Sequence, residues 1–356
     1  MHTFVNKLFL SLHTFVFIQF MHKRITIKDI ARELNVHHST VSRALRKDPR
    51  VKEETREMVL AYAQEHEYQA NMNAVQLRGT SNNAIALIVP NINHNFFSDI
   101  VSKLTNLAYN KGYVISVFQT NEKYELEKEI VSTIIQHNFA GVIVSIANDT
   151  KNGDHFRLLE KFGIPLVFFD RVCEDIASPK VLVNNREITF QATEHLINKG
   201  YKRIVHITGN TDVNVFRDRQ KGYLEALEKY AMDYRNPMVI NDEFTTGLGK
   251  RLLTSLLISD LKPDAIISSS IYLTMGILLQ CRELKLNVPA DLGIITFGTL
   301  LSTEIITPQI TSIEQPESEI AELSFELLEK QINHEIVPDK IHDMIVKAEI
   351  LFRESC

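Results

Sequence analysis

The chain has 356 residues, 44% of them hydrophobic and 23% charged, with a formal net charge of −5. That is too long for one small core, suits two or three domains, and has the balance of an ordinary globular protein. Three cysteines, Cys173, Cys281 and Cys356, stand far apart with no CxxC, which argues against a disulfide framework or a zinc site and suits a reducing cytoplasm.

Charge is unevenly spread along the chain. Residues 22–80 hold 11 Lys/Arg against 8 Asp/Glu, a balance of +3; from Ser81 onward 27 stand against 36, a balance of −9. A basic front end on an acidic body is a weak sign of a polyanion-binding head. The leading run "LFLSLHTFVFIQF", Leu8 to Phe20, is apolar but shorter than the roughly 20 residues that span a bilayer. No small-x-small cleavage site follows it. Met21 directly precedes a well-formed domain start, so residues 1–21 are expected to be an upstream-start artefact or a disordered tail, and no membrane partner is expected.

From Ile25 to Tyr68 the pattern is helical. Ile27, Ile30, Ala31 and Leu34 recur at 3–4 spacing, as do Val41, Ala44 and Leu45, and then Val51, Thr55, Met58, Val59, Tyr62 and Ala63. Thr26 with Asp29 three residues on predicts a capping box, and Asp48-Pro49 ends the second helix. The next stretch, 69–83, has linker composition, with one short run at Asn73–Arg78 able to form a helix. From Ala84 onward, "AIALIVP", "YVISVFQ", "AGVIVSI", "IPLVFFD", "RIVHITG", "DAIISSS" and "LGIITFG" alternate with helical stretches. Such runs predict parallel strands in doubly wound sheets. They fall into two groups with a boundary near Val183–Glu187, which predicts two α/β lobes and a ligand cleft between them.

The stretch "VHHSTVSRALR", Val36 to Arg46, raises the first functional question. With the first helix ending near Leu34, a tight turn at Asn35-Val36 and a second helix starting near His37 or His38, the spacing is that of a helix-turn-helix. His38 and Ser39 then lie on the first helical turn, where side chains reach base edges, and Arg43 lies one turn further on the same face. Thr40 and Ser42 are placed to donate to phosphates. An ordinary solvated helix would carry a polar face too; the turn spacing and the third helix favour the DNA reading.

"TIKDIARELNVHHSTVSRAL" followed by "RVKEETREMVLAYAQEHEY" resembles the DNA-binding head of the lactose-repressor (LacI/GalR) family, and the resemblance runs through nearly all of 22–356. It implies a small all-α helix-turn-helix head (22–68), a hinge helix and linker (69–83), and a two-lobed α/β core like periplasmic sugar-binding proteins (84–356) for effector binding and dimerisation. It implies base reading by His38, Ser39 and Arg43, and phosphate contacts by Thr26, His37, Thr40 and Ser42. His37 departs from the family, which usually has Ser there, and His is a poorer cap. "NAVQLR" matches the family's hinge helix, implying minor-groove contacts by Ala74 and a Leu77 wedge in a kinked base step. The usual Pro before the hinge is replaced by Ala70.

For the cleft the resemblance implies effector contacts by Phe96, Phe97, Asp170, Arg171, Asn184, Arg219, Ser270 and Gly298. Arg219 stands where the family has its effector-binding Arg. Three family carboxylate positions are lost: Asn184-Asn185, Ser270-Ile271 and Thr296-Phe297-Gly298 stand there instead. A typical neutral-sugar site is therefore in doubt, and three readings stay open: an anionic or less polar ligand, a partner surface, or no ligand.

Enzyme motifs are missing. There is no GxSxG or HExxH, "TGLGKRLL" at 246–253 lacks the rest of a phosphate loop, and His37-His38 lacks metal-ligand spacing. No catalytic residue, metal or cofactor is expected. The expected protein is a cytoplasmic, homodimeric regulator, a repressor, bound to a pseudo-palindromic double-stranded operator and controlled by a small-molecule effector. An activator or co-regulator-dependent protein is the alternative, and a transport-type binding protein a more distant one.

Overall fold

The computed structural model describes residues 25–66, 68, 83–232, 238–298, 306–335 and 343–356. It divides into two units, Met1–Ser81 and Asn82–Cys356. The leading residues 1–21 and the expected hinge residues Ala74 and Leu77 lie outside the described residues.

The first unit holds three helices: α1 (Ile27–Glu33), α2 (His38–Leu45) and α3 (Glu53–Glu65). Thr26 and Asp29 form the expected reciprocal capping box, the Thr26 side chain accepting from the Asp29 amide and the Asp29 carboxylate accepting from the Thr26 amide at 3.0 Å. Asn35 takes φ 51°, a left-handed conformation that Asn tolerates better than most residues, and this turns the chain between α1 and α2. The Val36 amide then donates to the Ala31 carbonyl at 3.0 Å. Ile30, Val41, Ala44 and Val59 are fully buried and hold the three helices together, with Val36 and Leu45 packed against them. The Arg56 guanidinium donates to the carbonyls of Asp48 and Val51, pinning the turn from α2 to α3.

The second unit contains two six-stranded sheets. One comprises β1 (Ala84–Val89), β2 (Val114–Gln119), β3 (Gly141–Val144), β4 (Leu166–Phe169), β5 (Lys180–Val183) and β11 (Met344–Val346), in the spatial order β11-β5-β4-β3-β1-β2. The other comprises β6 (Ile204–Thr208), β7 (Met238–Val239), β8 (Ala265–Ser268), β9 (Gly293–Phe297), β10 (Thr311–Glu314) and β12 (Glu349–Leu351), in the order β12-β10-β9-β8-β6-β7. Every pair is parallel except β10 with β12. Strands β3, β4, β6, β8 and β9 are buried along their whole length, the reason they read as unbroken apolar runs.

Helices α4 (Asn95–Asn110), α5 (Tyr124–Gln136) and α6 (Arg157–Lys161) belong to the first lobe; α7 (Asn185–Asn198), α8 (Asn214–Lys229), α9 (Thr246–Ile258) and α10 (Ile271–Leu284) belong to the second. Helix α11 (Glu317–Ile332) follows β10 of the second lobe yet packs on α4, β3, β4 and β5 of the first. The sequence suggests one lobe boundary; the chain in fact crosses three times, at 183–185, 314–317 and 346–349. The last crossing escapes a periodicity reading because β11 and β12, on either side of it, have only three residues each. No helix among the described residues is long and apolar enough to cross a membrane.

Candidate nucleic-acid interface and inter-lobe cleft

In α2 the apolar spacing decides which side chains are free. Val41 and Ala44 are fully buried, so the Arg43 side chain is turned outward, and its guanidinium makes no hydrogen bond or ion pair among the described residues. His37 and His38 are exposed, while Ser39, Thr40 and Ser42 are half-buried. His37 is the N-cap of α2, as its position at the helix start implies. Its Nδ1 accepts from the Ser39 amide at 3.4 Å and lies 2.8 Å from Ser39 Oγ. The His37 and His38 rings lie 4.1 Å apart, tilted by 42°. The polar crowd at this entrance is therefore a linked group: the imidazole caps the helix and also engages the hydroxyl expected to face a base.

The second unit has a cleft of about 420 Å³ between its lobes. Arg219 on α8 forms part of its floor. It is 4% exposed, donates through Nε to Asn185 Oδ1 at 2.8 Å, and lies 3.6 Å over the Phe297 ring. Burial lowers its pKa to about 10, opposed by the attraction of Asp170. Asp170 follows β4 in a left-handed conformation (φ 56°) and is also buried; burial raises its pKa, while Arg171 and Arg219 pull it back. Arg171 is tied to Glu122 through Nη1, at 2.8 and 3.1 Å, and lies between the rings of Phe97 and Phe216.

Phe96, Phe97, Asp170, Arg171, Arg219 and Ser270 all line the cleft, as the sequence reading expects. Phe97 is nevertheless mostly a packing residue, 3% exposed and edge-on to Phe96 and Phe169. Ser270 also caps α10, accepting from the Tyr272 amide. Gly298 lines a smaller adjoining cavity of about 210 Å³ instead.

Asn184 is not at the cleft. It stands at the first crossing, where its Oδ1 accepts from the Ala348 amide at 2.8 Å and its Nδ2 donates to Glu187, so it fastens the first and third crossings together. Its neighbour Asn185 does the site's work by holding Arg219.

Several lining residues have no counterpart in the sequence reading: Glu122, Phe216, Asp242, Glu243 and Phe244. Phe216 was within reach of it, because it stands three residues before Arg219 on α8 and shares its face. Asn214 is a further unread residue. Its Nδ2 donates to the Asp170 carbonyl at 2.9 Å and its Oδ1 accepts from the Val172 amide at 3.0 Å, so a second-lobe side chain completes the first-lobe loop. Other bridges join the lobes around the opening. The Tyr272 hydroxyl donates to the Asn93 carbonyl at 2.7 Å, Asn210 donates to the Asn148 carbonyl, and Arg217 pairs with Glu174 at 2.6 Å.

Comparison with known proteins agrees with both units. Residues 26–71 match the family described as bacterial regulatory proteins, lacI family, and residues 193–356 match a periplasmic binding protein-like domain. The ribose operon repressor of Halalkalibacterium halodurans is 30% identical over 308 residues, covering 86% of this chain and 90% of that one. Catabolite control protein A of Priestia megaterium is 28% identical over 332 residues, covering 93% and 99%. Among solved structures, a lac repressor dimer bound to operator and an anti-inducer superposes with a TM-score of 0.80 at 20% identity, covering 94% of this chain and 99% of that one. A transcriptional regulator CelR–cellobiose complex gives 0.69 at 23% identity, covering 94% and 100%.

Proposed function

The chain belongs to the lacI family of bacterial regulatory proteins, and from that premise we propose how this DNA-binding transcriptional repressor reads its operator and senses its effector. His38, Ser39 and Arg43 read base edges in the major groove, and Thr26, His37, Thr40 and Ser42 contact flanking phosphates. Ala74 and Leu77 enter the minor groove from the hinge. Two copies of the chain bind as a homodimer, so the operator is pseudo-palindromic, and the protein acts in the cytoplasm. A small molecule in the inter-lobe cleft shifts the lobes and with them the hinge. A switch from mostly bound to mostly free operator needs a differential affinity of roughly 5 kcal/mol between the two states.

The observation that carries this reading is the outer face of α2: Arg43 stands exposed on a helix whose Val41 and Ala44 are fully buried, its guanidinium without a hydrogen bond or ion pair among the described residues. The test is Arg43→Ala in full-length protein, titrated on operator and on unrelated DNA. Specific binding falls by about 1–3 kcal/mol while non-specific binding holds nearly constant. An equal loss on both DNAs would make Arg43 a phosphate contact instead.

A further inference from the structure

The charges around the cleft do not balance, and their sign bears on the three readings that the sequence leaves open. The main cavity opens beside the smaller one, which shares His94, Phe96, Ser269, Ser270 and Gln315 with it. Among the described residues lining the two, the carboxylates are Glu122, Asp170, Asp242 and Glu243 in the larger and Asp99, Glu314 and Glu317 in the smaller; the cations are Arg171 and Arg219 alone.

Three of these carboxylates are already matched. Glu122 holds Arg171 at 2.8 Å, Glu314 is paired with Arg353 from outside the cavity at 3.4 Å, and Asp170 offsets Arg219. Asp99, Asp242, Glu243 and Glu317 make no ion pair among the described residues. Among the described residues Glu243 accepts a hydrogen bond from the Asn91 side-chain amide, at 3.4 Å, and Lys103, which acts on Glu317 electrostatically, donates to the Ser318 hydroxyl. Both cavities thus keep an excess of negative charge among the described residues, since Arg171 is matched by Glu122 and Arg219 is offset by Asp170, stacked on Phe297 and held by Asn185.

An incoming carboxylate or phosphate would meet like charge on both sides, whereas an ammonium group would meet unpaired carboxylates. It would also meet aromatic walls at Phe96 and Phe244, whose ring faces attract cations. The remaining lining is rich in amides, including Asn93, Asn121, Asn148 and Asn241, which match hydroxyl groups.

We propose that the effector is a small polyhydroxylated molecule carrying a protonated amine and no carboxylate or phosphate, its ammonium group set against the Asp242–Glu243 side of the cleft. This rests on the cleft being the effector site. The family carboxylates missing at 184, 271 and 298 are more than replaced from other elements, so their loss does not make an anion site.

The test uses matched sugar triples on full-length protein: glucose, glucosamine and glucuronate, with the galacto and manno sets. Binding is read by calorimetry and effect by operator release. In the set that fits, the amine binds tightest, about tenfold over the neutral sugar at low salt, and the advantage shrinks as salt rises. Asp242→Asn with Glu243→Gln, both exposed and remote from the packed core, removes most of that advantage.

A uronate binding as tightly as its amine, an advantage untouched by the double variant, or no binding by any amine overturns the proposal. A neutral sugar that equals its amine and releases operator overturns it too, while leaving the cleft as effector site. Binding that is unchanged by Phe96→Ala places the ligand elsewhere and takes the underlying reading down as well.

Discussion

At the scale of single residues, His37 has the clearest physical consequence. An imidazole nitrogen accepts a hydrogen bond only while it carries a lone pair, so the cap on α2 exists only with Nδ1 unprotonated. The ring also engages Ser39 Oγ, so the same nitrogen influences which way that hydroxyl offers its hydrogen. His37→Ala is expected to cost about 1 kcal/mol of head stability, with His37→Ser or His37→Asn restoring most of it. Amide hydrogen exchange in the full-length protein checks this: Ser39 exchanges faster in the Ala variant and regains protection in the Ser variant. Equal protection in all three would mean the helix does not depend on the cap.

Side chains were legible in the sequence to different degrees. The outward set His38, Ser39 and Arg43 follows from helical spacing alone once Val41 and Ala44 are taken as core. The Asn184–Asn185 pair shows the limit of such reasoning. The two residues are adjacent, yet one fastens the lobe crossings and the other holds the cleft arginine. Which does which depends on how the chain leaves β5 and enters α7, and no pattern in the sequence encodes that direction.

At the scale of elements, the crossing of α9 and α10 explains the second glycine of "TGLGKRLL", Gly249. The stretch carries no phosphate loop; it is the face on which one helix lies against another. A Cβ on Gly249 would stand 2.1 Å from the Leu273 carbonyl oxygen, and one on Gly276 would stand 2.0 Å from the Thr246 carbonyl oxygen. Both neighbours are backbone, so relief requires the helices to part. Gly276→Ala is expected to destabilise the second unit by about 1–3 kcal/mol or more. Gly247→Ala, in the same helix but with nothing nearer than 3.8 Å, should be neutral or slightly stabilising. Urea unfolding midpoints of the two variants separate these effects; similar midpoints would refute the close-crossing account. Strands β3, β4, β6, β8 and β9 were readable because burial on both faces leaves an unbroken apolar run. The short strands were not, since a three-residue strand such as β11 or β12 has no period to detect.

At the scale of the whole molecule, a buried histidine sets part of the pH response. His206 on β6 is fully buried beneath the cleft, with Nε2 3.3 Å from Ser269 Oγ and Nδ1 without a hydrogen-bond partner among the described residues. Burial lowers its pKa to about 3, helped by the nearby Arg219. Because the folded value lies below the ordinary value of 6.5, the unfolded chain takes up the proton first as pH falls. The stability that His206 leaves intact above pH 6.5 is therefore lost progressively as pH falls from there towards 3, by roughly 1.4 kcal/mol per unit. Between pH 7 and pH 5, His206→Gln should lose about 2 kcal/mol less than the unsubstituted protein in chemical unfolding. Identical pH slopes would show that the buried ring takes up its proton over the same pH range as in the unfolded chain, so that burial does not lower its pKa.

The threefold passage between the lobes has a consequence for how such a protein can be recombined. Each lobe is assembled from separate stretches of the chain: α11 and β11 lie between β10 and β12 in sequence but in the other lobe in space. A single splice near residue 184, joining the front of one gene to the back of another, would leave the first lobe with a foreign helix and a foreign edge strand. A new sensing lobe can be grafted intact only at three junctions at once. Homologues that trade effectors by simple crossover would inherit mismatched packing at α11, so new ligand preferences are more readily reached by replacing side chains within the cleft than by exchanging lobes.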